Sequence, residues 1–434
     1  MAVQDTVLVS DWMQETYTHK DFFKPYQEDY TPLLADLEEC PDEKIEGKRW
    51  NVPLYMNTAW NVRTGPEGGP QATVESDSVT QGQVLAIEFK GTVALTELLT
   101  RQGTGAAHFN GGALDHQMKQ RTMELNKLMQ IHFWGHGTGR LAVVDQTTVA
   151  IPTFFARLPW SARRLRENMR IDFYDLDTGG AKQGASQKII AIDRTTFGDP
   201  GGAGFNTYHS TVTIDANRSL TAGWGVYPMG DYGYAPNGID GLIGSAALAP
   251  TFLTKSRATF PKLNTNRLHN NGTPRDVSED LLRQMADMIW DSGCELDSLR
   301  CGAGMINKIA ALSTNDRRYN IVNGKFPKYI QGHKEGDLVF AYDKAEATFK
   351  KDPQCTARTI KFLSFRDTFY KHTTAEPGFL NRGGNILLPI PSAGGGGYDY
   401  SVEARLYAAG NISNYKPVGN GSLEDLKDST WAGD

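Results

Sequence analysis

The feature that most constrains this chain is a pair of alternating segments, within residues 48–93, joined by a tip that suits neither a helix nor a strand. In the outgoing segment the even-numbered positions are apolar except for Thr58, whereas Arg49 and Asn51 fall on odd positions. A period of two predicts a half-buried β-strand. The apolar positions are Trp50, Val52, Leu54, Met56, Trp60 and Val62.

The tip is rich in glycine and proline. It contains Arg63, Gly65, Pro66, Gly68 and Gly69. Proline lacks a backbone donor and glycine adopts the unusual angles of turns, so the chain is expected to reverse here. The return segment places Leu85, Ile87, Phe89 and Val93 on one face, and both arms are therefore predicted to form one hairpin.

The hairpin is predicted not to pack on the rest of its own subunit. At about 3.3 Å per residue the outgoing arm is roughly 45 Å long, and an isolated two-stranded ribbon is marginal in water. Pro53 indicates that one edge stays unpaired within its own chain. The hypothesis is that the apolar face and the tip lie on a neighbouring copy.

A long amphipathic helix is predicted after the hairpin. Its apolar stripe begins at Leu114, and Gly111 with Gly112 and Gly135 with Gly137 mark its two ends. The helix would be roughly 35 Å long at a rise of about 1.5 Å per residue. A shorter helical piece is expected at 95–101. The stripe consists of Leu114, Met118, Leu125, Leu128, Met129 and His132.

Composition indicates an ordinary globular protein with an uneven charge. The 434 residues allow two or three lobes, no run of eighteen apolar residues is present, and the start of the sequence does not resemble a secretory signal, which favours a cytoplasmic protein. The net charge of −5 argues against a strongly basic nucleic-acid binder. Residues 1–46 carry twelve acidic side chains against three lysines, which forms an acidic arm. Four cysteines are too few for a disulfide framework.

The middle of the chain is predicted to consist of short strands, at 141–145, 171–174, 187–194 and 209–215, with a helix at 161–169. Four arginines lie in or beside that helix: Arg163, Arg164, Arg166 and Arg170. Two interpretations remain open. They form a solvated basic face, or they meet the acidic arm of an adjacent copy, which would make assembly depend on salt.

A second lobe is predicted to mix helices and strands. A helix capped by Thr273 and Pro274 would run to Gly293, followed by a strand at 296–301 and a helix at 305–312. Strands are predicted at 337–342, 345–350 and 359–365. Segments 385–389 and 398–408 are expected to form a hairpin that returns to the earlier strands, and the tail from Pro417 is expected to be flexible.

No residue is predicted to be catalytic, cofactor-binding or metal-binding. Residues 137–142 match the wording of a dinucleotide fingerprint, but they follow a helix and enter a strand, which is the reverse of the required order. His132 and His136 are four residues apart, yet Gly135 is expected to end the helix between them. Neither a nucleophile elbow nor a phosphate-binding loop is present.

Taken in order, these pieces resemble the major capsid protein of tailed bacteriophages, which has the Hong Kong 97-type fold. The resemblance implies an α+β chain with these parts: an N-terminal arm (1–47), an extended E-loop hairpin (48–93), a spine helix and peripheral domain (94–218), an axial domain (219–380), return strands of the peripheral domain (381–416) and a flexible tail (417–434).

The resemblance also implies function and partners. Copies would assemble as hexamers and pentamers into an icosahedral shell around double-stranded DNA, which they contact non-specifically, in a virion formed in the bacterial cytoplasm with no membrane. A separate scaffolding protein and a portal are expected, and decoration proteins are left open. Some relatives cross-link an E-loop lysine, but residues 49–89 contain no lysine, so noncovalent contacts are expected.

Two alternatives remain open at this point. An encapsulin-like nanocompartment shares the implied fold but stores protein cargo. A secreted β-rich enzyme acting on polysaccharide is favoured by eight Trp and seventeen Tyr, although the chain lacks an obvious acid pair.

Overall fold

The structure is a computed structural model that describes residues 32–37, 49–57, 62, 64, 76, 78–96, 113–156, 164–176, 180–193, 210–245, 249–315, 339–342, 345–356, 358–381, 386–391 and 398–427. Six α-helices lie in this part of the chain: α1 (Pro32–Asp36), α2 (Ala113–Phe133), α3 (Ile239–Leu242), α4 (Glu279–Asp291), α5 (Ala303–Asn315) and α6 (Phe365–Thr368). Two single-turn 3-10 helices are found at Pro261–Leu263 and Pro417–Gly419.

Strands dominate the described residues. They are β1 (Arg49–Asn57), β2 (Ser78–Leu85), β3 (Ile87–Thr96), β4 (Ala142–Val143), β5 (Thr148–Ala156), β6 (Arg170–Asp175), β7 (Ala181–Lys182), β8 (Gln187–Asp193), β9 (Ser210–Leu220), β10 (Gly225–Pro228), β11 (Thr251–Phe252), β12 (Lys255–Ser256), β13 (Asn266–Leu268), β14 (Ser298–Cys301), β15 (Val339–Tyr342), β16 (Ala345–Lys351), β17 (Ile360–Leu363), β18 (Phe369–Phe379), β19 (Leu387–Pro391), β20 (Tyr398–Asn414) and β21 (Gly421–Leu423).

The predicted hairpin is confirmed at its base but not in its return arm. β1 pairs antiparallel with β2, with Arg49 opposite Leu85 and Leu54 opposite Thr80. The chain breaks the ladder at Ala86, and β3 then pairs with β20, with Phe89 opposite Ala408. The prediction of a single hairpin through residue 93 is therefore wrong, because alternation shows which face is buried and not which strand is the partner. β3 also continues to Thr96, where a helix was predicted.

Helix α2 confirms the predicted long helix. It begins at Ala113, directly after the glycine pair in the sequence, and ends at Phe133. The amide of Gly135 donates to the carbonyl oxygen of His132 at 2.8 Å, and Gly137 has a φ of +82°. The glycines therefore end the helix as glycines usually do.

The short strands of the middle region form one seven-stranded sheet in the order β4-β10-β6-β8-β9-β5, with β7 paired to β6. The predicted helix at 161–169 is wrong where the structure describes it. Residues 164–169 form turns, in which the amide of Asn168 donates to Ile189 at 2.9 Å. Asn168 has a φ of +66°, which a helix cannot contain.

The second lobe is a six-stranded mixed sheet, in the order β13-β21-β17-β14-β16-β15, with α4 and α5 packed on it. Helix α4 is capped by Ser278, whose hydroxyl accepts from the amide of Leu281, and not by Thr273. Residues near Thr273 are instead tied to the chain end, since the amide of Arg275 donates to Asp425 at 2.8 Å.

The C-terminal segment is part of this sheet. β21 pairs with β13 and β17, and Leu423 and Leu426 are fully buried. The prediction of a flexible tail from Pro417 is therefore wrong as far as residue 427, because its apolar side chains complete the core. Residues 428–434 lie outside the described part.

The residues that the structure describes form three hydrophobic cores between these sheets and helices. The central core joins β1, β2, α2, α3 and a four-stranded sheet in which the long strand β20 lies between β18 and β19 on one side and β3 on the other. The predicted return hairpin is confirmed here, with Leu388 of β19 opposite Glu403 of β20. A second core lies under α4 and α5, and a third fills the seven-stranded sheet.

Candidate assembly surfaces and buried charged clusters

The apolar face at the hairpin base is covered by its own chain. Trp50, Val52, Leu54 and Met56 are between 1% and 8% exposed and belong to the central core. Phe89 is also buried, 6.3 Å from Phe133 of α2 in an edge-on ring contact. These five side chains are buried in the central core of their own subunit, which contradicts the prediction that they contact a neighbouring copy.

The β11–β12 turn fixes the hairpin base in place. The carbonyl of Leu253 accepts from the amide of Gln83 at 2.9 Å, and a Cβ added at Gly82 would lie 2.9 Å from Leu253 Cβ. Leu253 and Thr254 have φ values of +43° and +72°, which are unusual for residues with side chains. Strain of this kind persists only where the surrounding structure imposes it.

A buried arginine supports that turn. Arg257 is fully buried, and its guanidinium donates to the carbonyl oxygens of Leu242 at 2.8 Å, Gly241 at 2.9 Å and Gly244. It lies 5.2 Å over the ring of Phe252. Burial lowers the pKa of Arg257 to about 10, so the side chain remains charged at neutral pH.

Two apolar side chains of the predicted contact are exposed in the described part of the chain. Val62, which follows β1 in the sequence, is 71% exposed, and Leu85, opposite Arg49 at the base, is 43% exposed. Ile87 in β3 is partly buried. Other predicted contact residues lie outside the described part of the chain: Trp60, Arg63, Gly65, Pro66, Gly68 and Gly69.

The four predicted patch arginines do not form one surface. Arg164 is 1% exposed, and its Nη2 donates to Asp240 Oδ2 at 3.2 Å and to the carbonyl of Gln354 at 3.0 Å. It is neither a solvated side chain nor available to another copy, so both interpretations are wrong for it. Arg166 is partly buried, Arg170 is exposed, and Arg163 lies outside the described residues.

Asp240 is the centre of the first buried charged cluster. Lys361 Nζ lies 3.2 Å from its Oδ1, and the hydroxyl of Thr356 donates to its Oδ2 at 2.6 Å. Burial alone would raise the pKa of Asp240, but Lys361 and Arg164 outweigh it and hold the pKa well below the usual range. The carboxylate is therefore charged at neutral pH.

Asp352 is the centre of a second cluster that joins three parts of the chain. It accepts from Trp134 Nε1 at 2.9 Å and Gln130 Nε2 at 3.1 Å, and Arg300 Nη1 lies 3.4 Å away. Arg300 also pairs with Asp36 of α1. Burial raises the pKa of Asp352. The cluster fastens α1 and α2 to the six-stranded sheet.

These clusters connect distant segments of the chain, and their geometry is that of structural contacts and not of a reaction centre. Each charged group is paired with an opposite charge, and Arg300 Nε is buried with no hydrogen-bond partner among the described residues. A cleft of about 330 Å³ between α2 and residues 166–169 is lined by Glu124, Lys127 and Glu167 among others, with no histidine, cysteine or hydroxyl nucleophile.

Neither metal binding nor a membrane helix is supported within the described residues. No group of three or more histidine, cysteine or acidic side chains there could hold a metal ion. His132 is buried and its Nε2 lies 3.6 Å from Asp231 Oδ2. The described helices include none with the length and apolar character that crossing a membrane requires.

Comparison with known proteins gives a match at the level of fold. No family model and no curated protein matches the sequence. Among solved structures, a chain of the cyanophage A-1(L) capsid asymmetric unit is 10% identical, covers 94% of this chain and 97% of its own, and has a TM-score of 0.56. The capsid of a native GTA particle is 9% identical over 98% of this chain and 100% of its own, with a TM-score of 0.46. The SrpI encapsulin of Synechococcus elongatus is 8% identical over 99% and 98%, with a TM-score of 0.44.

The first of these likenesses defines the fold. The chain is a mixed α and β protein, mostly sheet, with the fold of the cyanophage A-1(L) capsid chain over nearly its whole length.

Proposed function

We propose that this chain is the major capsid protein of a tailed bacteriophage, and that its copies assemble as hexamers and pentamers into an icosahedral shell. The observation that carries the proposal is the likeness to the cyanophage capsid chain, which spans 94% of this chain and 97% of that one. Agreement over both whole lengths favours a shared architecture over a shared module.

The parts of the molecule correspond to the parts of such a fold. The β1–β2 hairpin is the E-loop, α2 is the spine helix, and the seven-stranded sheet with β18–β20 forms the peripheral domain. The six-stranded sheet with α4 and α5 is the axial domain, and it extends to residue 427 because β21 belongs to it.

The hairpin tip, and not its base, is the inter-subunit contact. The base is buried in its own subunit, while Val62 beyond it is 71% exposed. The proposed contact therefore consists of positions in or beside the tip sequence: Trp60, Val62, Arg63, Gly65, Pro66, Gly68 and Gly69. Leu85 lies at the base but is 43% exposed, and it stays a separate proposed contact. A salt-dependent contact with the acidic arm of an adjacent copy is still proposed for Arg163, Arg166 and Arg170. Arg164 is left out because it is buried.

If the tip makes the contact between copies, removing it should prevent assembly and leave the folding of the subunit intact. Replacing residues 58–77 by a two-residue Asn-Gly turn keeps β1, β2 and their register, since Asn57 already pairs with Ser78. The shortened protein should unfold at nearly the same urea concentration as the full chain and should form no closed particles. Normal particles from it would contradict the role of the tip, and a large loss of stability would contradict the self-supported base.

Electron microscopy of the purified chain in negative stain tests the function itself. Closed, uniform particles are expected, and a protein that stays monomeric at all concentrations would contradict the proposal. The contents separate the alternatives: particles isolated from the producing host should contain nuclease-protected double-stranded DNA. Protein cargo in its place would favour an encapsulin-like compartment. Scaffolding protein and portal are further proposed partners.

A further inference from the structure

The turn at residues 270–273 carries an Asn-Gly pair that is open to solvent. The carbonyl oxygen of Asn270 accepts from the amide of Thr273 at 3.0 Å, which closes the turn. Asn271 and Gly272 are exposed, with φ values of +51° and +79°. A Cβ added at Gly272 would meet no described atom within 4 Å. The pair is therefore accessible and unhindered in the described part of the chain.

Asn-Gly sequences are prone to a spontaneous reaction of their own backbone. The glycine nitrogen loses its proton and attacks Cγ of the asparagine, while the side-chain nitrogen takes up a proton and leaves as ammonia. The product is a cyclic succinimide, and water opens it at either carbonyl to give aspartate or isoaspartate. The net reaction consumes water and releases ammonia, without any enzyme or cofactor. Glycine permits the attack because it has no side chain to hinder it.

The described part of the chain contains two further Asn-Gly pairs, and both are held inside the fold. Asn420 is fully buried, and its side-chain amide both donates and accepts hydrogen bonds. The Nδ2 of Asn237 donates to a backbone carbonyl at 3.2 Å. A Cβ added at Gly238 would collide with Gly135, so this backbone has no room to rearrange. Among the described pairs, the structure therefore leaves Asn271 as the reactive one.

A single carboxylate holds the nitrogen that would react. Asp425 Oδ2 accepts from the amide of Gly272 at 3.0 Å and from the amide of Asn270 at 2.7 Å. The carbonyl of Asp425 accepts from the amide of Arg275 at 2.8 Å, which keeps this side chain beside the turn. The hydrogen bond from Gly272 must break before the nitrogen can attack, and the negative charge opposes the loss of its proton.

We propose that Asn271 is a site of spontaneous deamidation in the folded subunit, and that Asp425 limits the rate of the reaction. Either product places a new negative charge beside the Asp425 carboxylate, and isoaspartate also lengthens the backbone of the turn. The two amide hydrogen bonds to Asp425 should then be lost. Deamidation should therefore release residues 424–427 from the turn irreversibly. This chemistry is independent of assembly.

Two substitutions at position 425 test the role of the carboxylate. Asp425→Gly removes it, and glycine adopts the φ of +58° at this position without strain. Asp425→Asn keeps an uncharged acceptor, and asparagine also tolerates this backbone region. The purified proteins are incubated at mildly alkaline pH, and peptide mass spectrometry follows the conversion of Asn271. Asp425→Gly should accelerate it by about tenfold or more, because a hydrogen bond to a charged acceptor no longer has to break. Asp425→Asn should lie between that variant and the wild type.

Two controls separate this effect from misfolding. Asp276→Ser removes another carboxylate of the same segment, which pairs with Lys427 at 3.1 Å, and it should leave the rate at Asn271 unchanged. Asn237 reports on unfolding in the same digests. A variant that unfolds the subunit should convert Asn237 and Asn271 together, whereas loss of the Asp425 contact should accelerate Asn271 alone.

Hydrogen exchange tests the structural consequence. The isoaspartate form, separated from the unmodified subunit by ion exchange, should exchange its amides faster in residues 421–427. Exchange at the same rate in both forms would overturn the proposed release.

The rates decide the remaining points. Conversion at Asn271 of the wild type that is faster than at Asn237, and faster still in Asp425→Gly, supports both parts of the proposal. If Asn271 converts no faster than Asn237 in either protein, the assigned site is wrong. If Asp425→Gly converts at the wild-type rate, or more slowly because the carboxylate acts as a base, the limiting role of Asp425 is overturned.

Discussion

Arg164 shows how a single buried charge can be mistaken for a surface one. Its guanidinium satisfies Asp240 and two backbone carbonyls, and it has almost no exposed surface. Removing one partner of a buried pair leaves the other charge uncompensated in a medium of low polarity. The role of Arg164 is therefore to hold the fold together.

Replacing Arg164 should destabilise the subunit. Arg164→Met is expected to lower the free energy of unfolding by about 3 kcal/mol, at the lower end for a broken buried pair because Lys361 remains beside Asp240. Urea denaturation of the unassembled subunit measures it. Arg170→Met is the matched control, since Arg170 is exposed and should change stability by less than about 0.5 kcal/mol. Equal effects of the two substitutions would refute the assignment.

The environments of His136 and His372 should make the subunit sensitive to acid. Burial lowers the pKa of both His136 and His372 to about 4. Imidazoles of the unfolded chain titrate near 6.5, so between these pH values the unfolded state binds more protons. The stability is present above pH about 6.5 and is lost as the pH falls toward 4, by up to about 1.4 kcal/mol per pH unit for each histidine.

Denaturation curves at several pH values check this dependence. The double variant His136→Gln with His372→Gln should have a shallower loss of stability between pH 6.5 and 4 than the wild type. A slope that is the same in both proteins would show that these imidazoles do not control it.

At the scale of elements, the contact between the hairpin and the β11–β12 turn decides whether the hairpin base keeps its place. Gly82→Ala would put a Cβ 2.9 Å from both Leu253 Cβ and Leu54 Cδ1, which forces the strand or the turn to move. Overpacking of this kind costs about 1–3 kcal/mol. Faster amide hydrogen exchange in β1 and β2 should accompany the loss of stability.

Gly91→Ala is the matched control for this contact. Gly91 lies in the neighbouring strand β3, and its added Cβ would meet Leu406 at 3.5 Å, an ordinary contact distance. Hydrogen exchange in β1 and β2 should then remain as in the wild type. If Gly82→Ala also leaves exchange unchanged, the turn does not fix the hairpin.

The elements that sequence patterns predicted well are those whose signal is local. The α2 stripe, several strands of both large sheets and the β19–β20 pair were predicted from periodicity and from glycine positions, whereas β5, β10, β13 and β21 were not predicted. The partner of a strand does not follow from such patterns, which is why β3 was assigned to the hairpin although it pairs with β20. The burial of Arg164 could not be predicted for the same reason, because its partners Asp240 and Gln354 are 76 and 190 residues away along the chain.

At the scale of the whole molecule, the subunit buries its hairpin base in its own core and leaves apolar side chains exposed at other positions. The three cores and two buried charged clusters hold the sheets to one another without help from a neighbour. Exposed apolar groups remain beyond the hairpin base and on α4, with Val62 71% and Trp290 59% exposed. A subunit with such exposed apolar side chains favours repeated contacts between copies, each modest and many together stable.

The most direct test of this account is a cryo-electron microscopy reconstruction of particles formed by the wild-type chain. It should show an icosahedral shell in which β1 and β2 pack on the β11–β12 turn and in the central core of their own subunit, while residues 58–77 reach an adjacent copy. A reconstruction in which β1 and β2 rest on a neighbour, or in which the tip folds back on its own subunit, would contradict it.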